Sequence, residues 1–429
     1  PHDAATAYVV LMRYKSMDLN SYVYKTKDYG QTWTKMTNGL EGPHTFARVV
    51  REDKKKQGLL YAGTETGLYV SLDDGRFWQP LQLNLPVVPI NDLTIQDNDL
   101  VAATAGRSFW ILDDLAPLQH AGIPKDQMAL LQPKDTYLFM GGHSNEPRPG
   151  LGSNPKSGVT MDYYLPQALD STELTLEVVS NGKVIRSYTN KKPKDFKSWA
   201  GGPQKPEILP SKKGFNRFTW DFRREGLPAV EKVFIFGGLE GSLVGPGTYT
   251  LRLHQGENTT ETTVNVLPNP NIGAVVADYE EQQQILEKIE GAVTEIHEAV
   301  NSMRSAKQQL QHYKNLLKDK EQATTLLEKG DALLERIASW EENLIQPKQK
   351  TFQDVINFTN KLNAQLLHLR GYVDVAEPKV TQGAKDRLTD LMQEWATLKA
   401  AHDAIVNKEM KDYNTTYEAL GLPAILIND

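Results

Sequence analysis

The sequence contains no cysteine, so disulfide frameworks and thiolate chemistry are excluded from its fold and function. Cysteine avoidance is common inside and outside the cytoplasm, so this absence alone assigns no compartment. No run approaches the roughly 18 consecutive apolar residues of a membrane-spanning helix, and no transmembrane segment is predicted. The first ten residues, PHDAATAYVV, lack the basic-then-apolar pattern of a signal peptide. The chain is therefore either a cytosolic protein or a mature or truncated product.

Basic patches and metal-ligand spacings are also missing. The chain carries 48 Lys plus Arg against 54 Asp plus Glu, and no Lys/Arg-rich block is interleaved with aromatic residues. Nucleic acid is therefore not an expected partner. The nine histidines form no His-x-His, His-x-x-x-His or HExxH motif, so no metal site is predicted. There is no phosphate-cradling glycine loop or GxSxG, and no cofactor is expected.

Three regions of different periodicity are present, and they predict a multidomain β plus α protein. In residues 1–120, short apolar runs alternate with turn residues, which is typical of strands and hairpins. Residues 131–270 keep the strand pattern without a repeat. Residues 276–420 show apolar residues at spacings of three and four, the period of amphipathic helices.

The first region contains an internal repeat. The octapeptides TKDYGQTW and SLDDGRFW lie 45 residues apart and share the pattern Ser/Thr-x-Asp-x-Gly-x-x-Trp. The residues that meet it are Thr26, Asp28, Gly30 and Trp33, then Ser71, Asp73, Gly75 and Trp78. An offset of 40 places LYAGTETGLYVSLDD on LVAATAGRSFWILDD. In that alignment a third copy keeps Asp113, with Ile111 and Leu115 at the hydroxyl and glycine positions.

An all-strand unit of this length has the period of a β-propeller blade. Propellers close with about four or more blades, and residues 1–120 supply fewer than three, so they predict a partial propeller. We expect the remaining blades to come from upstream sequence in the same or another chain. In each octapeptide the carboxylate can accept backbone N–H groups of the turn, glycine permits the left-handed residue and the indole covers the hairpin. The repeat is therefore interpreted as structural rather than catalytic.

The other two regions predict two further domains. In residues 131–270, EVVSNGKVIRSY predicts a hairpin with Asn181-Gly182 at its turn, and PGTYTLRL predicts a late strand. This region is interpreted as an immunoglobulin-like β-sandwich. In residues 276–420 four apolar stripes predict four helices in an antiparallel bundle. The stripes run through Ile285 to Met303, Leu333 to Leu344, Phe352 to Leu369 and Leu388 to Ile405.

The octapeptide pattern is the Asp-box, or BNR repeat, of sialidases, sortilins and several glycosidases. Together with YVYKTKDYGQTW, GRSFWILDDLAPL, GFNRFTWDFR and GPGTYTLRL, it makes the chain resemble bacterial sortilin-like BNR-repeat proteins, a family often labelled as glycosyl hydrolases. The resemblance covers nearly the whole chain and implies the C-terminal portion of an exported protein of the cell envelope or of a secreted one. The hydrolase label rests on repeats that specify architecture. Where THGR is expected, this chain has Thr104-Ala105-Gly106-Arg107, which weakens the case for a hydrolytic site there.

Candidate ligand-binding residues are Arg107 and Trp110, although pairing of Arg107 with Asp113 or Asp114 is the favoured interpretation. The leading hypothesis is an extracytoplasmic propeller protein that binds protein or glycan ligands. The first alternative is a glycoside hydrolase, sialidase-like or glucanase-like, with its catalytic acids largely in the missing blades. The second is a scaffold subunit of a cell-surface assembly. The sequence leaves enzymatic activity, ligand, oligomeric state and the partner of the helices open.

Overall fold

The computed structural model describes residues 1–42, 44–122, 125–139, 152 and 154–421. The chain is a mixed β and α protein, in which several antiparallel sheets precede a C-terminal helical region.

Three antiparallel sheets follow one another in the first 112 residues, each with its strands in chain order. Sheet A contains β1 (Ala7–Val10), β2 (Val23–Thr26) and β3 (Thr34–Lys35). Sheet B contains β4 (Ala47–Glu52), β5 (Leu60–Thr64), β6 (Leu68–Ser71) and β7 (Gln79–Pro80). Sheet C contains β8 (Ile90–Gln96), β9 (Asp99–Thr104) and β10 (Phe109–Leu112).

The three sheets pack face to face, with sheet B in the middle. Successive strand residues point to opposite faces, and both faces of sheet B are apolar. On β5, Leu60 and Ala62 belong to the core shared with sheet A, whereas Tyr61 belongs to the core shared with sheet C. Strand β4 contacts both β1 and β8, so the first strands of sheets A, B and C lie next to one another.

A one-turn helix, α1 (Ala116–Gln119), leads to two further sheets that enclose one core. Their strands are β11 (Ala129–Leu130), β12 (Thr136–Tyr137), β13 (Val159–Leu165), β14 (Thr175–Ser180), β15 (Lys183–Thr189), β16 (Gly214–Trp220), β17 (Gly247–Gln255) and β18 (Asn258–Leu267). Sheet D has the order β11-β13-β16 and sheet E the order β12-β18-β17-β14-β15. The predicted hairpin is confirmed, with φ values of 49° at Asn181 and 75° at Gly182 between β14 and β15.

The helical region consists of α2 (Val276–Leu317), α3 (Thr324–Leu344), α4 (Leu362–Val373), α5 (Gln382–Ala404) and α6 (Met410–Ala419). A π-helical turn, Ile405–Glu409, joins α5 to α6 in one continuous helix.

Side-chain contacts give the direction of each helix relative to α2. Arg304 pairs with Glu341 and Lys314 with Asp331, so α3 runs antiparallel to the C-terminal half of α2. Gln282 donates to the carbonyl of Val373, and His297 contacts Asn363, so α4 runs antiparallel to the N-terminal half. Glu281 pairs with Lys385 and Glu295 with Lys399, so α5 runs parallel to α2. Among the described residues the helices therefore form three legs, with α3 and α4 sharing the second.

Two predictions about the helical region are wrong. The stripe from Phe352 to Leu369 is not one helix: Phe352–Ile356 is a 3-10 turn, Phe352 is exposed, and α4 begins only at Leu362. The four predicted helices do not alternate up and down, because α3 and α4 point the same way. In addition, the segment 221–245 between β16 and β17 sends Val230, Val233, Ile235 and Leu239 into the helical core, so this core crosses the boundary predicted near residue 270.

Candidate functional site

The first Asp-box closes a turn with its own backbone. The Asp28 carboxylate accepts hydrogen bonds from the Thr32 N–H at 2.8 Å, the Thr32 hydroxyl at 2.6 Å and the Thr26 hydroxyl at 2.7 Å. The Gly30 N–H donates to the Thr26 hydroxyl at 2.9 Å, and Gly30 has a φ of 87°. Hydrogen bonds from Thr32 lower the pKa of Asp28 to about 2. This carboxylate is thus ionised and committed to the turn.

The second Asp-box repeats these bonds except that of the Thr32 hydroxyl, because Phe77 stands at that position, and it also differs at its tryptophan. The Ser71 hydroxyl donates to Asp73 at 2.8 Å, and the N–H groups of Gly75 and Phe77 reach Ser71 and Asp73 at 2.9 and 3.0 Å. The Trp78 indole is 1% exposed and donates to the Met36 carbonyl of sheet A at 3.1 Å. The Trp33 indole is 44% exposed and donates to the Gly30 carbonyl of its own turn.

The acidic residue that follows the box aspartate links sheets A and B. Asp74, with a φ of 64°, forms ion pairs with Lys25 and Lys27, and the Tyr8 hydroxyl donates to it at 3.4 Å. Burial and the nearby carboxylates Glu52 and Asp74 raise the pKa of the Tyr8 hydroxyl above its usual range. The pair Asp73-Asp74 therefore serves the turn and the sheet contact respectively.

The third copy lies one residue later than the offset of 40 predicts. In sheet B Leu60 pairs with Ser71, and in sheet C its counterpart Leu100 pairs with Leu112. The hairpin between β9 and β10 is thus one residue longer than that between β5 and β6.

Asp114, rather than Asp113, therefore matches the box aspartate. Asp114 accepts hydrogen bonds from the Asn98 amide at 2.8 Å and the Ala116 N–H at 3.1 Å, so its turn is held by different partners.

Arg107 lies in the turn between β9 and β10, and Trp110 lies on β10. The Arg107 guanidinium donates to the Gly106 carbonyl at 3.1 Å, and the Trp110 indole donates to the Arg107 carbonyl at 2.9 Å. Trp110 packs against the core between sheets B and C. The favoured pairing of Arg107 with Asp113 or Asp114 is wrong, because no such ion pair occurs among the described residues and the Arg107 guanidinium bonds the Gly106 carbonyl instead.

A cleft of about 1380 Å³ lies between sheet C and sheets D and E. One wall carries Asp99, Asp113 and Asp114, and the opposite wall carries Arg217. The Arg217 guanidinium donates to the backbone carbonyl of Asp113 at 3.3 Å. This contact joins residues 104 positions apart in the sequence. It brings the motifs GRSFWILDDLAPL and GFNRFTWDFR together at the cleft.

The charged groups of the cleft are unequally paired. Arg217 makes a two-pronged contact with buried Asp162 at 2.8 and 2.9 Å, and these hydrogen bonds raise the pKa of Arg217. Lys134 pairs with Asp99. Asp113 is exposed as a residue, but its carboxyl is partly desolvated in the cleft, and this desolvation, followed by the charge of Asp99, raises its pKa. Asp113 is therefore the acid of this wall whose carboxylate is available to a ligand.

Two aromatic side chains are exposed in the cleft beside these charges. Tyr137 on β12 is 46% exposed and Phe139 is 44% exposed, with ring centroids 6.0 Å apart at an interplanar angle of 51°. Both rings therefore contribute exposed aromatic surface that a ligand in the cleft can contact. Sequence reasoning missed Lys134, Tyr137 and Phe139, because their spacing carries no motif. The only sequence features that pointed to this region were the motifs GRSFWILDDLAPL and GFNRFTWDFR, which meet at the cleft.

Neither a metal-binding cluster nor a membrane-spanning helix is found in the described part of the chain. Within it, no group of three or more His, Cys, Asp or Glu side chains is arranged to hold a metal ion. None of its helices combines the length and apolarity needed to cross a membrane.

Comparison with known proteins identifies no family. No family model and no curated protein matches the chain. Two solved structures of the extracellular domain of the BT4673 system from B. thetaiotaomicron match 62% of this chain at 12% identity, with TM-scores of 0.20 and 0.21. The chain spans about a third of their length, 35% and 36%. A TM-score this low carries no argument about fold or function. The fold description and the functional proposal therefore depend only on the geometry of this chain.

Proposed function

We propose that this chain is part of an extracytoplasmic Asp-box propeller protein that binds a glycan in the cleft between sheet C and sheets D and E. The observation that carries the proposal is the exposed Tyr137 and Phe139 pair beside Asp113. Sugar rings offer C–H faces to aromatic rings and hydroxyls to carboxylates, and a concave site with a few placed polar groups suits such a ligand. The acidic wall favours a neutral sugar over an anionic one.

The architecture proposed for this protein is three domains. Residues 1–120 are consecutive propeller blades, which the face-to-face order of sheets A, B and C supports. Residues 131–270 are an immunoglobulin-like sandwich, supported by the single core of sheets D and E. Residues 276–420 are a helical bundle. The cleft then lies where the last blade meets the sandwich.

Calorimetric titration with neutral hexasaccharides tests the proposed function. The probes are cellohexaose, xylohexaose, laminarihexaose and chitohexaose. We expect at least one to bind, Tyr137→Ala to weaken it about tenfold, equivalent to about 1.4 kcal/mol, and Tyr372→Ala to leave it unchanged. Tyr372 is the matched control because it is exposed on α4, away from the cleft. Equal effects of the two substitutions, or binding of none of the probes, would contradict the glycan site.

The alternative of a glycoside hydrolase is favoured by one observation, the raised pKa of Asp113 in a cleft. A carboxyl that retains its proton can act as general acid, but hydrolysis requires a second carboxylate at a fitting distance. Asp28 and Asp73 are committed to their turns, and Asp114 accepts hydrogen bonds from its own loop. Release of reducing sugar from the bound hexasaccharide, abolished by Asp113→Asn with binding retained, would establish hydrolysis.

A further inference from the structure

The cleft between sheet C and sheets D and E carries an excess of negative charge. Its lining includes five carboxylates and three cationic side chains. The carboxylates are those of Asp99, Asp113, Asp114, Asp135 and Glu207, and the cations are Lys134, Lys156 and Arg217. Arg217 is matched by buried Asp162, which lies outside the lining, and Lys134 is paired with Asp99, so only Lys156 stands against the other four carboxylates. The cleft therefore attracts a positively charged ligand.

Asp113 is the carboxylate of this set to which a cation of the ligand can bind. Among the described residues no cationic side chain forms an ion pair with its carboxylate, and the Arg217 guanidinium reaches its backbone carbonyl instead, at 3.3 Å. Asp114 already accepts two hydrogen bonds, and Asp135 accepts two from Asn265, each at 3.2 Å. The raised pKa of Asp113 agrees with this, because desolvation and a neighbouring carboxylate disfavour an anion that has no directly bound cation.

The exposed rings of Tyr137 and Phe139 suit the same kind of ligand. The face of an aromatic ring attracts a cation, and it also covers the C–H face of a sugar. An amino sugar carries its ammonium group directly on the sugar ring, so one rigid unit can contact the aromatic surface and donate a charge-assisted hydrogen bond to Asp113. The lysine or arginine side chain of a peptide would have to be immobilised for both contacts, at a cost in conformational entropy. The cleft therefore favours a cationic sugar over a basic peptide.

We propose that the cleft selects oligosaccharides of amino sugars whose ammonium groups are free, with an ammonium on the Asp113 carboxylate and a sugar ring on Tyr137 or Phe139. This inference rests on the proposed glycan function and narrows its ligand from sugars in general to cationic ones. A hydroxyl or an acetamide in place of the ammonium can still donate a hydrogen bond to Asp113, but that donor carries no charge. Charge-assisted hydrogen bonds are roughly twice as strong as neutral ones, so the preference is measurable.

Three hexasaccharides with the same backbone provide the test. Cellohexaose, chitohexaose and the glucosamine hexamer differ in one substituent of each ring, which is a hydroxyl, an acetamide or an ammonium group. Calorimetric titration at about pH 6 keeps an ordinary amine protonated. We expect the glucosamine hexamer to bind the parent chain about tenfold more tightly than either neutral hexamer. Raising the salt concentration from about 0.1 M to about 1 M shortens the screening length from about 10 Å to about 3 Å, so this advantage should shrink while the neutral hexamers keep their affinity.

Substitutions of Asp113 test which group recognises the charge. Asp113→Asn should bring the ratio of affinities between the glucosamine hexamer and chitohexaose close to one, because the amide has nearly the same shape and no charge. Asp113→Lys is the second variant and should reverse the preference. Asp390→Asn is the matched control, since Asp390 is an exposed acid on α5 that does not line the cleft, and it should leave the ratio as it is in the parent chain.

The outcomes distinguish this inference from the function on which it rests. If the glucosamine hexamer binds no more tightly than a neutral hexasaccharide, while Tyr137→Ala still weakens binding, the amino-sugar preference is overturned and the glycan site stands. The inference is also overturned if Asp113→Asn keeps the preference, because the charge is then recognised elsewhere. Hexalysine that binds as tightly as the glucosamine hexamer, and loses this binding in Asp113→Asn, would make a basic peptide the ligand instead. Failure of every hexasaccharide to bind would contradict the glycan site itself.

Discussion

Protonation of His297 is expected to destabilise the junction between the helical region and segment 221–245. The ring is fully buried on α2. Its Nδ1 lies 2.7 Å from the Pro228 carbonyl, which requires an Nδ1–H donor, and its Nε2 lies 3.1 Å from the Asn363 amide nitrogen. The Asn363 carbonyl oxygen is held by the Ala364 N–H at 2.6 Å, which fixes the amide with its NH₂ toward the ring. A second ring proton would therefore meet a donor.

The magnitude follows from the shift in the pKa of His297. Burial lowers it from 6.5 to about 4. Because the pKa of His297 is lower in the folded chain, the unfolded chain binds the proton first. Stability therefore falls as the pH drops below the pKa of the unfolded chain, and it stops falling once the pH is below the pKa of the folded chain. At about pH 5 the loss relative to neutral pH is about 2 kcal/mol, and it approaches about 3 kcal/mol near pH 4.

Guanidinium unfolding followed by helical circular dichroism measures this effect at about pH 7.5 and about pH 5. The control is His297→Gln, whose amide can still donate to Pro228 and accept from Asn363 but does not titrate. We expect the variant to lose about 2 kcal/mol less than the parent chain across this interval. If both proteins lose the same free energy, His297 does not carry the pH dependence and the reasoning from its environment is refuted.

Three further predictions about the sheets and the cleft can be tested by thermal or denaturant unfolding. Trp78→Ala should lower the free energy of unfolding by about 3–5 kcal/mol because it leaves a cavity, whereas Trp33→Ala should lower it by less than about 1 kcal/mol. Similar losses for the two variants would show that the two indoles are equally well packed. Gly75→Ala should destabilise by more than about 1 kcal/mol, since Gly75 has a φ of 81° and its new Cβ would lie 2.7 Å from a methionine sulfur of sheet A. An unchanged midpoint would contradict that contact. Arg217→Met should lower the free energy of unfolding by about 2 kcal/mol, because it leaves buried Asp162 unpaired. The loss is smaller than for a fully buried pair because Arg217 is partly exposed. Adding Asp162→Leu should recover most of the lost stability. Failure of the double variant to recover would place the loss elsewhere.

Local chemistry accounts for the parts of the fold that the sequence could predict. The Asn181-Gly182 turn needs positive φ at both residues, and few other dipeptides supply it. The hydroxyl, carboxylate and glycine bonds of each Asp-box turn likewise lie within the octapeptide, so no distant part of the chain is needed to form them. The start of the helical region near residue 276 is also visible in the sequence, because its apolar spacing changes there.

Contacts between distant residues explain what could not be predicted. Arg217 and Asp113 are brought together only by the packing of sheet D against sheet C, so neither motif announces the cleft by itself. The apolar residues of segment 221–245 follow no regular period, because the segment is neither helix nor strand and still enters the helical core. The stripe beginning at Phe352 failed since spacing alone does not distinguish a helix from a 3-10 turn followed by a loop.

The two Asp-boxes separate what the repeat does by itself from what it does for a neighbour. Both turns have the same hydroxyl, carboxylate and glycine bonds, within a few tenths of an ångström, although one tryptophan is buried and the other is exposed. The turn therefore does not depend on the adjacent sheet. The indole is the variable part: with a sheet beside it, it donates across the boundary to Met36, and without one it folds back on Gly30. In this chain the partner of the indole thus follows the burial of its face: the exposed Trp33 bonds its own turn, and the buried Trp78 bonds the next sheet.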